Sequence, residues 1–253
     1  MPKRNYIPSS VQRHTLRFIL FIAVASALPA HAQQPKPLIV IGFMGGNVKA
    51  ANFVHREALM ARDLQRRNPG TLRISVFANH DGPVALKTIV QLLHEDRTGQ
   101  LTEDERRSAR IIVYGHSWGA SEAVTLAARL HRLHIPVLLT IQVDSVQKFG
   151  ESDRVIPPNV VEAVNFYQAE GLLRGRRVIA AADPTHTTIL GNFLYTYKTK
   201  PVACDGYPWF ARTFMKQHIE IENDPVVWAR VESLIQAYIS PDPTSAALRP
   251  INP

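Results

Sequence analysis

Ser117 stands in the pentapeptide Gly115-His116-Ser117-Trp118-Gly119, directly after the apolar run Ile111-Ile112-Val113-Tyr114. A serine on a sharp turn between a buried strand and a helix is held with its hydroxyl exposed at the carboxyl edge of a sheet. Backbone N–H groups beside it are then available to an oxyanion. Gly115 and Gly119 permit the tight turn and the close strand-to-helix approach that a Cβ would obstruct. A serine hydroxyl is a weak nucleophile until a base takes its proton and a carboxylate orients that base. The chemistry on offer is acyl transfer, and it requires a histidine and an acid further along the chain.

Four histidines follow the serine: His131, His134, His186 and His218. His131 and His134 fall at the end of the helix after the turn, where a histidine complements the helix dipole. His218 lies in Gln217-His218-Ile219-Glu220-Ile221-Glu222-Asn223-Asp224-Pro225, a loop leading into the last helix, and is assigned as the base. His186 is the alternative, three residues after Asp183. Asp144 and Asp183 each end an apolar run, as an acid-bearing loop requires. Either could equally be a turn or N-cap residue.

The elements that must position these groups follow from patterning. Leu38 to Ile41 is a continuous apolar run suited to a strand buried on both faces. A helix is expected within Ala51 to Arg67, a strand over Leu72 to Phe77, and a helix over Val84 to Leu93. The serine strand spans Ile111 to Tyr114 and the helix after it Ala120 to His134. Further strands are expected over Val137 to Val143 and Val178 to Ala182, and a final helix from Pro225 to Ile239. Strands alternating with helices predict an α/β fold, a mostly parallel sheet with helices on both faces.

At these residues the chain resembles the α/β-hydrolase family in its lipase/esterase branch. Gly42-Phe43-Met44-Gly45-Gly46 is similar to the His-Gly-x-x-Gly loop of lipases, with Ile41 in the histidine's place. Val143-Asp144-Ser145-Val146 resembles the Asp-Pro turn that carries the acid in several lipase groups. The resemblance implies an α/β-hydrolase fold over residues 33–240 and a triad of Ser117, Asp144 and His218, with Asp183 the other candidate acid. It implies oxyanion donors at the N–H groups of Phe43 and Trp118, a small-molecule or lipid ester or thioester as substrate, and no metal or organic cofactor. An amidase or peptidase would use the same triad, and a non-catalytic envelope binding protein could keep the same fold. The chain has no long insertion of the kind that makes a large lid, which speaks against interfacial lipase activity more than against ester hydrolysis.

The first 32 residues read as an export signal. Lys3, Arg4, Arg13 and Arg17 precede or flank an apolar run from Phe18 to Leu28, followed by Ala30-His31-Ala32 as a cleavage site. Cleavage after Ala32 would place the protein in the periplasm or outside the cell without a membrane span, and no cysteine follows to carry a lipid. The formal charge of +8 includes those four cations, so the remaining chain carries +4. That excess is scattered and not interleaved with aromatics, which gives nucleic-acid binding little support. The single cysteine, Cys204, cannot form an internal disulfide and is expected to be buried. Residues 241–253 read as a disordered tail, and the sequence does not set the oligomeric state.

Residues 94–105 have the frame of a calcium loop, with Gly99 and Glu105 at the turn and bidentate positions, but His94 stands where an aspartate normally opens it. A capping box, with Thr102 as N-cap and Glu105 closing it, explains the same residues. Phe193, Tyr195, Trp209, Phe210 and Phe214 are candidates for an acyl pocket or for ordinary core.

Overall fold

The computed structural model describes Met1 and residues 36–50, 52–94 and 100–239. Apart from Met1, the export segment lies outside the described residues, as do residues 95–99 of the calcium-loop frame and the tail 241–253. Among the described residues no helix is long and apolar enough to cross a membrane.

The chain opens with β1 (Leu38–Met44), α1 (Arg56–Arg67), β2 (Leu72–Ala78), α2 (Gly82–Leu93) and the short α3 (Glu103–Arg107). Then come β3 (Ile111–His116), α4 (Trp118–Arg132), β4 (Val137–Val143), β5 (Val155–Ile156) and β6 (Val160–Gln168). The last part holds β7 (Ala180–Ala181), β8 (Thr188–Tyr195), α5 (Trp209–Phe214), α6 (Lys216–Asn223) and α7 (Pro225–Ile239). Six strands form one sheet in the order β2-β1-β3-β4-β6-β8, and every neighbouring pair is parallel.

Alternation along the central strands divides the core into two layers. Ile39, Ile41 and Phe43 of β1 join Ile111 and Val113 of β3 on the face covered by α2 and α4. Leu38 and Val40 join Ile112 and Tyr114 on the face covered by α1 and α7. Each such Leu or Ile contributes roughly 1.5–3 kcal/mol relative to exposure, so both faces must be covered for the sheet to hold. Tyr114 is wholly buried and donates its hydroxyl to the Glu57 carbonyl at 2.8 Å, so its polar end is not left unpaired.

Two expectations are corrected. The run Val178 to Ala182 is not a central strand. Only Ala180 and Ala181 pair, in a two-stranded sheet with β5, and Val178 is exposed. The fifth and sixth central strands are instead β6 and β8. Their polar residues masked them, because Asn165 and Asn192 are spent on internal bonds: Asn165 donates to the Arg176 carbonyl at 2.8 Å and to Asn192 Oδ1 at 3.2 Å. Second, His218 lies on α6 and not in a loop.

The capping reading at 102–105 holds. The Glu105 N–H donates to Thr102 Oγ1 at 3.2 Å, and the Thr102 N–H donates to Glu105 Oε2 at 2.7 Å. Cys204 is half-buried, its thiol 3.4 Å from the Val202 carbonyl, and burial pushes it up to about 11.

Candidate active site

The turn after β3 depends on its two glycines through packing. A Cβ on Gly115 would lie 2.4 Å from the backbone of Gly119, and one on Gly119 would lie 2.2 Å from the Phe43 carbonyl oxygen. Helix α4 therefore starts in contact with the ends of β1 and β3. Ser117 between them has φ 56° and ψ −124°, a conformation that L-residues adopt only under constraint. Its N–H donates to the Val143 carbonyl at 3.0 Å, and its own carbonyl accepts from Val146 at 3.2 Å and from Ala120 at 3.1 Å. The strained turn is thus fastened to the segment that carries Asp144.

Asp144 follows β4, the strand next to β3, with φ 45°. It is fully buried and surrounded by donors. Gln168, at the end of β6, gives its backbone N–H to Oδ1 at 3.0 Å and its side-chain N–H to Oδ2 at 2.8 Å. Gly175 closes over the carboxylate so tightly that a Cβ there would sit 2.0 Å from Oδ1. The same Oδ2 lies 2.6 Å from His218 Nδ1, and His218 Nε2 lies 2.9 Å from Ser117 Oγ. The structure therefore brings Ser117, His218 and Asp144 into one buried hydrogen-bonded line.

Asp183 and His186 are not part of it. They pair with each other at 2.7 Å on the surface, and Thr185 also bonds the carboxylate through its hydroxyl and N–H. His131 and His134 lie at the exposed end of α4.

The oxyanion assignments divide. Trp118 is the first residue of α4 and lines the cavity above the serine; helix geometry leaves its N–H without an intrahelical partner. Phe43, the other expected donor, is an interior residue of β1, wholly buried and paired in register with Phe77 and Gly115. It does not line the cavity. Gly45 and Gly46 do, and a Cβ on Gly45 would come within 3.2 Å of Ser117 Cβ. Of the glycine loop, Gly45 and Gly46 face the serine.

The cavity has a volume of about 620 Å³. Val54, Val146, Leu173, Phe210, Met215 and Ile219 supply its apolar wall, with Ser117 and His218 at its base. Of the aromatic residues considered for this wall, Phe210 lines it. Phe193 and Tyr195 pack against the α1/α7 layer, while Trp209 and Phe214 are exposed.

Beside the triad lies a polar cluster that sequence reading missed. His55 caps α1, Glu57 is in its first turn, His116 precedes the serine, and Glu222 lies one turn after His218 on α6. His55 Nδ1 bonds Glu222 Oε1, and the Gly45 N–H donates to Glu57 Oε1 at 3.3 Å. The His116 ring packs against that of His218 with centroids 4.6 Å apart. Burial, with the Glu222 carboxylate nearby, holds the Glu57 carboxyl well above the usual carboxylate range. Burial also lowers His116 to about 4, so it is neutral at pH 7. The sequence signals were His55-x-Glu57 and the i, i+4 spacing of His218 and Glu222, but the four residues meet only through three separate elements.

No family model and no curated protein matches the chain. Among solved structures it is similar to RedJ, a thioesterase from the prodiginine biosynthetic pathway in Streptomyces coelicolor, with 12% identity over 78% of this chain and 98% of that one and a TM-score of 0.36. RedJ with a PEG molecule bound in its active site matches at 14% identity, 77% and 94% coverage and the same TM-score, 0.36. A protein described as a hydrolase of the alpha/beta superfamily, from Xanthomonas campestris pv. campestris, matches at 12% identity, 64% and 90% coverage and a TM-score of 0.31. The parallel sheet with helices on both faces, the glycine-flanked turn after β3 and the aspartate after the neighbouring β4 make this an α/β-hydrolase fold.

Proposed function

We propose that the chain is an exported serine hydrolase that cleaves carboxylic esters or thioesters. The observation that carries this reading is the hydrogen-bonded line Ser117–His218–Asp144 at the base of an apolar cavity. Ser117 Oγ attacks the substrate carbonyl while His218 Nε2 takes the hydroxyl proton. Asp144 holds the Nδ1–H and offsets the charge that develops on the imidazole. The oxyanion is held by the Trp118 N–H and by the Gly46 N–H, the Gly45 N–H being given to Glu57; such donors each supply about 3–4 kcal/mol of transition-state stabilisation. His218 then protonates the leaving oxygen or sulfur. Water, deprotonated by His218, attacks the acyl-enzyme and releases the acid.

The apolar wall supports an acyl chain as the buried part of the substrate, with the leaving group toward the open side. A volume of about 620 Å³ lies in the range typical of small-ligand sites. A fluorophosphonate probe is expected to label the folded protein, and Ser117→Ala to abolish labelling; unlabelled, well-folded wild-type protein would overturn the reading. A panel of p-nitrophenyl esters of graded chain length, one thioester and one amide then separates esterase, thioesterase and amidase. Turnover of the amide alone would replace the ester assignment. Export rests on the basic and apolar pattern of residues 1–32 and is tested by the N-terminus of protein recovered outside the cytoplasm, expected at Gln33.

A further inference from the structure

We propose that His55, Glu57, His116 and Glu222 form a binding site for a divalent transition-metal cation, with zinc as its best-matched ion, in the wall of the catalytic cavity. Neither the serine mechanism nor the fold requires it. A three-residue group, one ring nitrogen of His55 and one carboxylate oxygen each from Glu57 and Glu222, lies with all its atoms within 4.8 Å of one another. His116 Nδ1 points into the same space, 3.5 Å from Glu222 Oε2 and 3.8 Å from Glu57 Oε1.

The hydrogen-bond inventory gives the second observation. His116 is almost completely buried, yet neither of its ring nitrogens has a hydrogen-bond partner, and Glu57 Oε2 is also unpartnered. Buried polar atoms are rarely left in this state, and each has a cost that a bound cation removes. Among the described residues, both carboxylates face histidines and neither is paired with a lysine or arginine.

The donor set selects the ion. Two imidazole nitrogens and two carboxylate oxygens, without thiolate, suit zinc and its first-row neighbours better than calcium or magnesium, which take oxygen ligands. Metal–ligand bonds of about 2.0–2.2 Å in a tetrahedron put ligand atoms roughly 3.3–3.6 Å apart. To reach that spacing His55 Nδ1 and Glu222 Oε1 must move apart and the wider pairs draw together slightly. Two carboxylates also neutralise the charge of a divalent ion, which lets it sit in a buried place. His55, His116 and Glu222 line the cavity, so the cation has an entry path. Tyr207 Oη, 3.2 Å from His55 Nδ1, competes for that nitrogen and would turn aside on binding.

Bound there, the ion would join the start of α1, the last residue of β3 and α6. It would thus tie the residue before Ser117 to the helix that carries His218. These four side chains are positioning residues, and no step of the hydrolysis passes through the metal.

The test uses full-length mature protein stripped with EDTA and dialysed into metal-free buffer. Zinc titration followed by calorimetry and elemental analysis is expected to give one ion per chain and a raised Tm, with magnesium and calcium giving neither. Glu222→Gln and His55→Gln, checked for folding by circular dichroism, are each expected to weaken zinc binding by at least 10-fold, and Co²⁺ in wild type to show the visible spectrum of a four-coordinate site. Folded wild type without stoichiometric zinc, or variants that bind it as tightly as wild type, would overturn the proposal. Running the titration on Ser117→Ala as well keeps the two proposals apart: zinc binding there stands whether or not fluorophosphonate labels the wild type.

Discussion

Among the described residues, two aspartate–histidine pairs have nearly equal length. Asp144 lies 2.6 Å from His218, and Asp183 lies 2.7 Å from His186. The first pair is buried, extends to a serine, and has its carboxylate held from two further sides by Gln168. The second is on the surface, where Asp183 bonds residues two and three positions ahead in an ordinary turn. A short contact therefore does not by itself tell the two pairs apart. The difference lies in what fixes the partners: a strand end, a neighbouring strand that supplies donors, and exclusion of water, which strengthens every charge interaction inside.

The comparison is sharpened most by exchanging each acid for its amide. Asp144→Asn is expected to lower kcat for the best ester by about 10⁴-fold with the fold intact, because His218 would lose its preferred tautomer. Asp183→Asn is expected to change the rate less than about 2-fold, as for surface substitutions generally. The opposite ranking would reverse the assignment of the acid. Gly175→Ala should come next, since its Cβ would sit 2.0 Å from Asp144 Oδ1. Overpacking of this kind costs about 1–3 kcal/mol, visible as a lower denaturation midpoint and a reduced kcat. Gln168→Leu removes one donor from the buried carboxylate and is expected to cost about 1–3 kcal/mol, with a smaller loss of rate.

The smallest expected effect is that of acid on the surface pair. The Thr185 hydroxyl and N–H, with His186, hold Asp183 down to about 2 from an ordinary 3.8. Its bonds should therefore persist at pH values above 3.8 and be lost as the pH falls through about 2. Solvent screens an exposed group, so Tm curves of wild type and Asp183→Asn should nearly coincide throughout. A separation present above pH 3.8 that closes as the pH falls toward 2 would show that the turn carries more stability than its exposure suggests.

The sequence made the left and middle of the sheet legible because β1, β3 and β4 are apolar runs with few competing readings. The elbow was legible for a different reason, since Gly115 and Gly119 have no substitute where an added Cβ would lie 2.2–2.4 Å from neighbouring backbone atoms. The far edge was not. β6 and β8 carry Asn165, Gln168 and Asn192, polar residues that look like loop in sequence and whose amides bond one another, Asp144 and the connection between the two strands. The apolar run at 178–182 pointed the other way, although only Ile179 of its hydrophobic residues joins the core. The glycine loop was found in sequence, but its resemblance to a lipase motif did not show that β1 continues through Met44 and leaves Gly45 and Gly46 against the serine. The His/Glu cluster was beyond reach: its members come from α1, β3 and α6, and no spacing joins them.

The connection between β6 and β8 has a consequence for how this protein could change its preferences. Within a few residues it places Leu173 in the cavity wall, its carbonyl 2.8 Å from Gln168 Nε2, and Gly175 against Asp144. Gly171 of the same stretch packs on Gln217, the neighbour of His218. Under the proposed function, selectivity and turnover would be mechanically linked on this side of the pocket: remodelling it to admit a bulkier chain would displace Asp144 as well. Val54, Phe210 and Met215, also in the cavity wall, have apolar side chains that form no hydrogen bond to Ser117, His218 or Asp144. Adaptation to new substrates, by natural drift or by directed evolution, has its open route there.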